Sequence, residues 1–154
     1  MDEASYVTGL VDGEGSFLVS FQKRAKMNIG LEVRPSFTVS QHRRNLEVLQ
    51  WLQKYFGCGG IRFNKSDQTY KYEVRSLRDL IMRVIPHFVV STLKTSKQND
   101  LLKFQKICQL MKESKHLSKA GITTIIKLAY TMNNYGARRY EKASLLKIVD
   151  KMKV

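Results

Sequence analysis

A short apolar segment that ends in two carboxylates among glycines constrains this chain more than any other feature. It reads Tyr6-Val7-Thr8-Gly9-Leu10-Val11-Asp12-Gly13-Glu14-Gly15. The pattern predicts a helix over residues 5–13, and a helix C-terminus carries partial negative charge that disfavours acids such as Asp12 and Glu14. A divalent cation would offset that penalty, because carboxylate and backbone oxygens are hard ligands suited to Mg²⁺. A simple glycine C-cap followed by a turn is the alternative interpretation.

The same segment places Gly9 and Gly13 four residues apart, on one face of the predicted helix. Glycine has no side chain, so a second helix could approach this face very closely. Two such helices side by side would bring two carboxylate-bearing ends together.

The remaining chain predicts an α+β fold with the order α-β-β-α-β-β-α, followed by further helices. Alternation of apolar and polar residues predicts strands, and helical spacing predicts helices. The predicted strands are 16–24, 31–40, 60–65 and 69–76, and the predicted helices after the first are 43–56, 77–88, 96–113, 118–132 and 138–152. Pro35 interrupts the second strand, which favours an edge position or a bulge. A chain of 154 residues fits a single domain, 1–154, with a sizeable core.

Two antiparallel hairpins would form a four-stranded sheet, with one apolar face under the helices. The opposite face would be polar and could read a nucleic-acid groove. An ordinary solvated sheet face is the alternative. The candidate base- and backbone-contacting residues are Ser20, Gln22, Arg24, Arg34, Thr38, Arg43, Arg62, Asn64, Lys71 and Arg75.

The net charge of the chain is the second feature that indicates its binding partner. The formal charge is +14, and it is uneven: residues 1–80 hold 12 Lys/Arg against 9 Asp/Glu, whereas residues 81–154 hold 15 against 4. Such a surface attracts a polyanion, usually nucleic acid. We expect no membrane partner, since no apolar run approaches 18 residues, and no small-molecule substrate. Two cysteines and three histidines have no spacing that suits a zinc site.

The decapeptide resembles the signature of the LAGLIDADG homing endonucleases, with Thr8 and Gly13 where alanine is usual and Glu14 where aspartate is commoner. The resemblance implies that Glu14 and the Gly13 carbonyl bind Mg²⁺ or Mn²⁺, and that Asp12 stabilises the helix end. It also implies catalytic roles for Gln41, which would order water, and for Lys94 or Lys97, which would stabilise charge. Asn45 occupies a position where some members have a basic residue, so Arg43 or Arg44 is the alternative for that role.

The signature occurs once, so one chain supplies one acidic helix end. Cutting both strands of a duplex then predicts a C2 homodimer joined through helix 5–13. The resemblance implies a site-specific, metal-dependent double-strand DNA endonuclease. An intron RNA maturase and a non-cleaving DNA-binding regulator on the same fold are the alternatives. By resemblance we expect a chloroplast or mitochondrial location, or otherwise an intracellular soluble protein.

Overall fold

The computed structural model describes residues 2–133 and 138–152, and its elements follow the predicted order. The first seven α-helices and strands are α1 (Glu3–Glu14), β1 (Gly15–Lys23), β2 (Leu31–His42), α2 (Leu46–Phe56), β3 (Gly60–Asn64), β4 (Thr69–Val74) and α3 (Leu77–Asp79). The later helices are α4 (Ile85–Val90), α5 (Lys97–Lys112), α6 (Lys119–Ala129) and α7 (Lys142–Asp150). The α+β fold class is therefore confirmed.

The four strands form one sheet in the order β1-β2-β4-β3. β2 pairs antiparallel with β4 from Phe37 opposite Val74 to His42 opposite Thr69. Pro35 precedes this pairing, so its missing N–H removes no bond to β4. β2 is a central strand, so Pro35 is not on an edge strand. It does lie in the part of β2 that has no β4 partner.

The chain divides into two compact units, and the first consists of Met1–Phe17 and Ser36–Gln98. Its core is an aromatic cluster in which sheet residues meet α2 and α4. Phe37 packs against Phe56 with ring centroids 5.6 Å apart and against Phe88 at 6.0 Å. Phe17 stacks on Phe37 at 5.2 Å, and Tyr72 is fully buried. The apolar side of this part of the sheet is therefore covered by helices, as predicted.

The second unit consists of Leu18–Pro35 and Asn99–Val154. Its core joins the β1–β2 hairpin to the C-terminal helices through apolar side chains, most of them aliphatic. The fully buried members include Leu31, Phe104, Ile107, Cys108, Ile122, Ile125, Ile126, Ala129 and Leu145. The assignment of the whole chain to one domain stays a prediction.

Two helical predictions differ from the structure in detail. The predicted helix 77–88 consists of α3, a π-helical segment Leu80–Val84, and α4. Pro86 cannot donate a backbone hydrogen bond, and the wider π turns lie directly before it. The last helix begins at Lys142 rather than at 138. The predicted break at 133–136 falls outside the described residues except for Asn133, whose φ is 50°.

Candidate functional site

The acidic end of α1 passes into β1 without a linker, because the helix ends at Glu14 and the strand begins at Gly15. The Gly15 N–H donates to the carbonyl oxygen of Val11 and so caps the helix. A Cβ at position 15 would lie 2.9 Å from that oxygen, which is closer than real Cβ atoms approach. The junction therefore requires glycine.

Asp12 ties this helix end to the loop before α5. Its carboxylate accepts hydrogen bonds from the backbone N–H groups of Lys94 (2.7 Å) and Thr95 (3.1 Å) and from the Thr95 hydroxyl (2.5 Å). Partial desolvation opposes ionisation, but these donors, with the nearby Lys97 charge, hold the pKa of Asp12 below its usual value. Asp12 is thus an ionised structural clamp, in line with the helix-stabilising role that the resemblance implies.

Lys97 supplies the positive charge that the end of α1 requires. Its Nζ donates to the carbonyl oxygens of Val11 (2.9 Å) and Asp12 (3.0 Å). A lysine on the last carbonyls of a helix is favourable for both hydrogen bonding and the helix dipole. Lys94 is exposed, and its backbone N–H, not its ammonium group, donates to the Asp12 carboxylate. Of the two predicted lysines, Lys97 is therefore the one whose ammonium group lies at the acidic helix end.

Glu14 contrasts with Asp12, two residues away. Its side chain is exposed, and among residues 2–133 and 138–152 no protein group donates a hydrogen bond to its carboxylate. Gly13 is exposed as well. Within the same residues, no cluster of three or more His, Cys, Asp or Glu could hold a metal ion. One chain therefore offers two hard oxygens, the Glu14 carboxylate and the Gly13 carbonyl, which fit part of a Mg²⁺ coordination shell.

Gln41 lies near the end of β2, the strand next to β1. Phe17 stacks on Phe37 across these strands, so the start of β1 lies beside the end of β2. The Gln41 side-chain carbonyl accepts a hydrogen bond from Asn45 Nδ2 at 3.3 Å. Asn45 thus orients the predicted water-ordering amide, a contact that sequence reasoning missed. Arg43 is exposed in the short 3₁₀ turn between β2 and α2.

In the second unit, Glu32 forms salt bridges with two of the predicted arginines. Glu32 accepts from Arg24 Nε at 2.8 Å and from Arg34 Nη2 at 3.2 Å. These two bonds, opposed by some desolvation, keep the pKa of Glu32 below its usual value. Ser20 is exposed and Gln22 is half-exposed, while the alternating residues of β1 are buried. The predicted polar side of this hairpin is therefore accessible to solvent.

In the first unit, predicted residues of β3 and β4 line a groove of about 620 Å³. Arg62 Nη2 donates to Glu73 Oε1 at 3.1 Å. The Asn64 carbonyl oxygen already accepts from Ser66 N (3.0 Å) and Ser66 Oγ (2.7 Å), which leaves its amide NH₂ for a ligand. The groove residues are Ser40, Arg62, Phe63, Asn64, Lys65, Asp67, Thr69 and Lys71. Arg75 lines a neighbouring groove with Arg62.

One predicted reader is not on the accessible surface. Thr38 lies on the central strand β2, directly opposite Glu73 on β4, and so shares the face that carries Glu73. It is nevertheless only 6% exposed. A role for Thr38 in base reading stays a prediction.

Thr8, on the buried face of α1, belongs to a polar network that the sequence did not predict. The Thr8 hydroxyl donates to the Ala4 carbonyl (2.9 Å) and also contacts His87 Nε2 (2.9 Å) and Ser91 Oγ (2.6 Å). A hydroxyl has one proton, so His87 Nε2 and Ser91 must donate to Thr8. His87 Nδ1 then accepts from the Tyr55 hydroxyl at 2.9 Å. Desolvation lowers the pKa of His87, which suits this neutral tautomer. Thr8 stands where the signature usually has alanine, and this difference is the sequence feature that could have indicated the network.

The opposite face of α1 is open. Val7, Thr8 and Val11 are buried, whereas Gly9 and Gly13 are exposed and Tyr6 is 41% exposed. A Cβ at Gly9 or Gly13 would meet nothing within 4 Å among the described residues. The chain's own packing therefore does not explain why these positions are glycine.

Two helix-hairpin units in succession, with an acidic end on the first helix, define the LAGLIDADG class of proteins. The chain belongs to the LAGLIDADG endonuclease family, whose model matches residues 7–108. It is 32% identical over 146 residues to the probable intron-encoded endonuclease 2 of Neurospora crassa, covering 94% of this chain and 32% of that protein. It spans about a quarter to a third of the length of the first curated relatives.

Solved structures agree with this assignment. The archaeal intron-encoded homing endonuclease I-Vdi141I, complexed with DNA, superposes with a TM-score of 0.88 at 28% identity, covering 97% of this chain and 96% of that one. I-SmaMI, bound to uncleaved DNA in the presence of calcium ions, gives a TM-score of 0.86 at 30% identity, covering 96% of this chain and 49% of that one. In the described part of the chain, no helix is long and apolar enough to cross a membrane.

Proposed function

We propose that this chain is a site-specific, metal-dependent double-strand DNA endonuclease. The observation that carries the proposal is the contrast at the end of α1, where Asp12 is fully engaged while Glu14 is exposed and receives no protein donor among the described residues. A carboxylate kept accessible beside a helix terminus is suited to a cation. The DNA bound by I-Vdi141I and I-SmaMI supports duplex DNA as the substrate class.

In this proposal, Glu14 and the Gly13 carbonyl hold Mg²⁺ or Mn²⁺. The ion would lower the pKa of a bound water and stabilise the leaving oxygen of the scissile phosphate. Gln41, oriented by Asn45, orders the attacking water through its amide NH₂ group. Lys97, positioned by the α1 carbonyls, stabilises negative charge that develops on the phosphate. Lys94 contributes charge to the surrounding surface.

The open face of α1 is the proposed contact between two copies of the chain. Gly9 and Gly13 would let the two helices approach closely, and the pair would bring two copies of Glu14 to one symmetry axis. The half-length match to I-SmaMI is consistent with a functional unit of two such folds. Sedimentation of the purified protein should give the mass of a dimer, and Gly9→Leu should shift it to the monomer. A wild-type monomer that still cuts both strands would contradict the pairing.

Cleavage of a randomised duplex library with Mg²⁺, read by sequencing, tests the activity and reports the target. We expect double-strand breaks at one related set of sites, which Glu14→Gln abolishes without loss of binding. Glu47→Gln is the matched control, because Glu47 is also an exposed glutamate of the first unit. Persistent cleavage by Glu14→Gln would falsify the metal role, and specific binding without cleavage would indicate a regulator on this fold.

An intron RNA maturase is the second candidate, and the charge of residues 81–154 favours it, since 15 Lys/Arg there face 4 Asp/Glu. Filter binding to structured RNA and to duplex DNA, each titrated with salt, separates the two functions. Tighter binding to RNA with no duplex cleavage would favour the maturase. An organellar location is proposed on the resemblance to intron-encoded relatives such as the Neurospora crassa protein, and localisation of a tagged chain tests it.

A further inference from the structure

The segment just before α7 lies along β1, within the second unit. Arg138 Nη1 donates to the Val19 carbonyl at 2.7 Å, and its Nη2 donates to the Ala129 carbonyl. The guanidinium also lies over the Tyr130 ring, 4.5 Å from its centroid. The Tyr130 hydroxyl in turn donates to the Tyr140 carbonyl. β1 is an edge strand of the sheet, and the bond from Arg138 to its Val19 carbonyl fixes the segment at that strand.

The next residue contacts a predicted base reader. Arg139 Nη1 donates to Gln22 Oε1 at 3.0 Å. Arginine has only donors, so the amide oxygen, and not the nitrogen, must face it. Arg139 and Lys23 both lie against the Tyr140 ring, with their charged groups 5.3 Å and 4.9 Å from its centroid. Arg139 is exposed and Gln22 is half-exposed, so both remain accessible to a ligand.

This contact changes what Gln22 can recognise. A glutamine selects adenine by accepting from N6 with its oxygen while donating to N7 with its NH₂ group. The bond from Arg139 takes one of the two acceptor positions of the Gln22 oxygen and places a positive charge beside it. That charge disfavours a second donor such as adenine N6, whereas the NH₂ group can still donate. A donor edge fits guanine, whose N7 and O6 both accept.

We infer that Arg139 is a specificity-determining residue, which biases Gln22 toward donating to the base and so favours guanine over adenine. The inference rests on the proposed DNA-binding function. Arg139 itself keeps further N–H donors, which suit an adjacent phosphate or the same guanine. Recognition at this base is therefore shared between β1 and the segment at 138–140.

The test uses the full chain and four single-base variants of the target obtained from the randomised library. The base position read by Gln22 is the one at which Gln22→Ala weakens discrimination. There, wild type should prefer guanine, and Arg139→Ala should shift the adenine-to-guanine affinity ratio toward adenine by roughly five- to a hundred-fold. Lys142→Ala removes an exposed charge from the start of α7 and should weaken all four sites equally.

A second variant does not depend on removing Arg139. Gln22→Glu keeps an acceptor for Arg139 and presents a carboxylate oxygen outward, so it should select cytosine, whose N4 donates. An unchanged adenine-to-guanine ratio in Arg139→Ala, or no change in base preference in both Gln22 variants, would overturn the inference while leaving the endonuclease proposal intact. Failure of the wild-type protein to bind any duplex would overturn both.

Discussion

Replacing Asp12 with alanine should destabilise the protein, although Asp12 performs no chemistry in our proposal. The substitution removes one acceptor from three donors: Lys94 N at 2.7 Å, Thr95 N at 3.1 Å and the Thr95 hydroxyl at 2.5 Å. Hydrogen bonds to a charged group contribute about 1.5–3 kcal/mol each when they are shielded from water. These donors are solvent-accessible, so water replaces part of each bond. We therefore expect a total loss of about 1–3 kcal/mol.

Thermal unfolding followed by circular dichroism measures this loss. For a chain of this size, 1 kcal/mol corresponds to a shift of roughly 2–4 °C in Tm, so Asp12→Ala should melt about 2–12 °C below wild type. Glu14→Gln is the matched control from the same turn. Its side chain has no protein donor among the described residues, so its stability should stay within about 0.5 kcal/mol of wild type.

The pH dependence of the unfolding free energy is an independent test of the hydrogen bonds that Asp12 accepts. The pKa of Asp12 is lowered in the folded protein relative to an ordinary value of 3.8. Its ionisation therefore stabilises the fold at pH values above 3.8, and this contribution disappears as the pH falls through the lower folded pKa. The gap in stability between wild type and Asp12→Ala should narrow in that range. A gap below about 0.5 kcal/mol at pH 7, or one that is constant down to pH 2.5, would refute the clamp.

Three further outcomes follow from the site geometry. Lys97→Met should reduce the cleavage rate at least ten-fold and lower Tm, whereas Lys94→Met should leave Tm unchanged; equal effects of the two on single-turnover cleavage and melting would contradict the assignment. Because desolvation lowers the pKa of His87 from 6.5, its neutral form stabilises the fold above pH 6.5 and that contribution is lost as the pH falls through the folded pKa. Melting of His87→Asn should accordingly depend less on pH between 7 and 5 than melting of wild type. Arg34→Ala and Arg62→Ala should each relax one base position at a cost of about 1–3 kcal/mol in binding, and an unchanged target preference in the library would exclude both as readers.

The order of elements was predictable because each part of the chain carries its own periodicity. The alternation of β1 and the helical stripe of α2 appear directly as buried faces in the structure. The boundaries of α1 and the four strands shift by at most three residues. The π-helical segment before Pro86 was not predicted, because wider turns leave no periodic signal over five residues.

Site residues close together in the chain were predictable, but their long-range partners were not. The acidic decapeptide identified Asp12 and Glu14, yet only the fold distinguishes the engaged acid from the accessible one. Likewise, Lys94 and Lys97 are indistinguishable in the sequence, and the carbonyls of α1 separate them. The contact between Arg139 and Gln22 spans 117 residues, and no local pattern reports a pairing at that separation.

The open face of α1 bears on the balance between folding and assembly. A glycine inside a helix makes the fold less stable than an alanine would, by about 0.5–1 kcal/mol. The space around Gly9 would accept the methyl group of alanine without a steric clash. A solitary chain selected only for stability would therefore favour alanine at this position. In the proposed dimer, glycine at this position would leave each free subunit less resistant to heat than an alanine variant, and the close approach of the second helix would compensate for that loss.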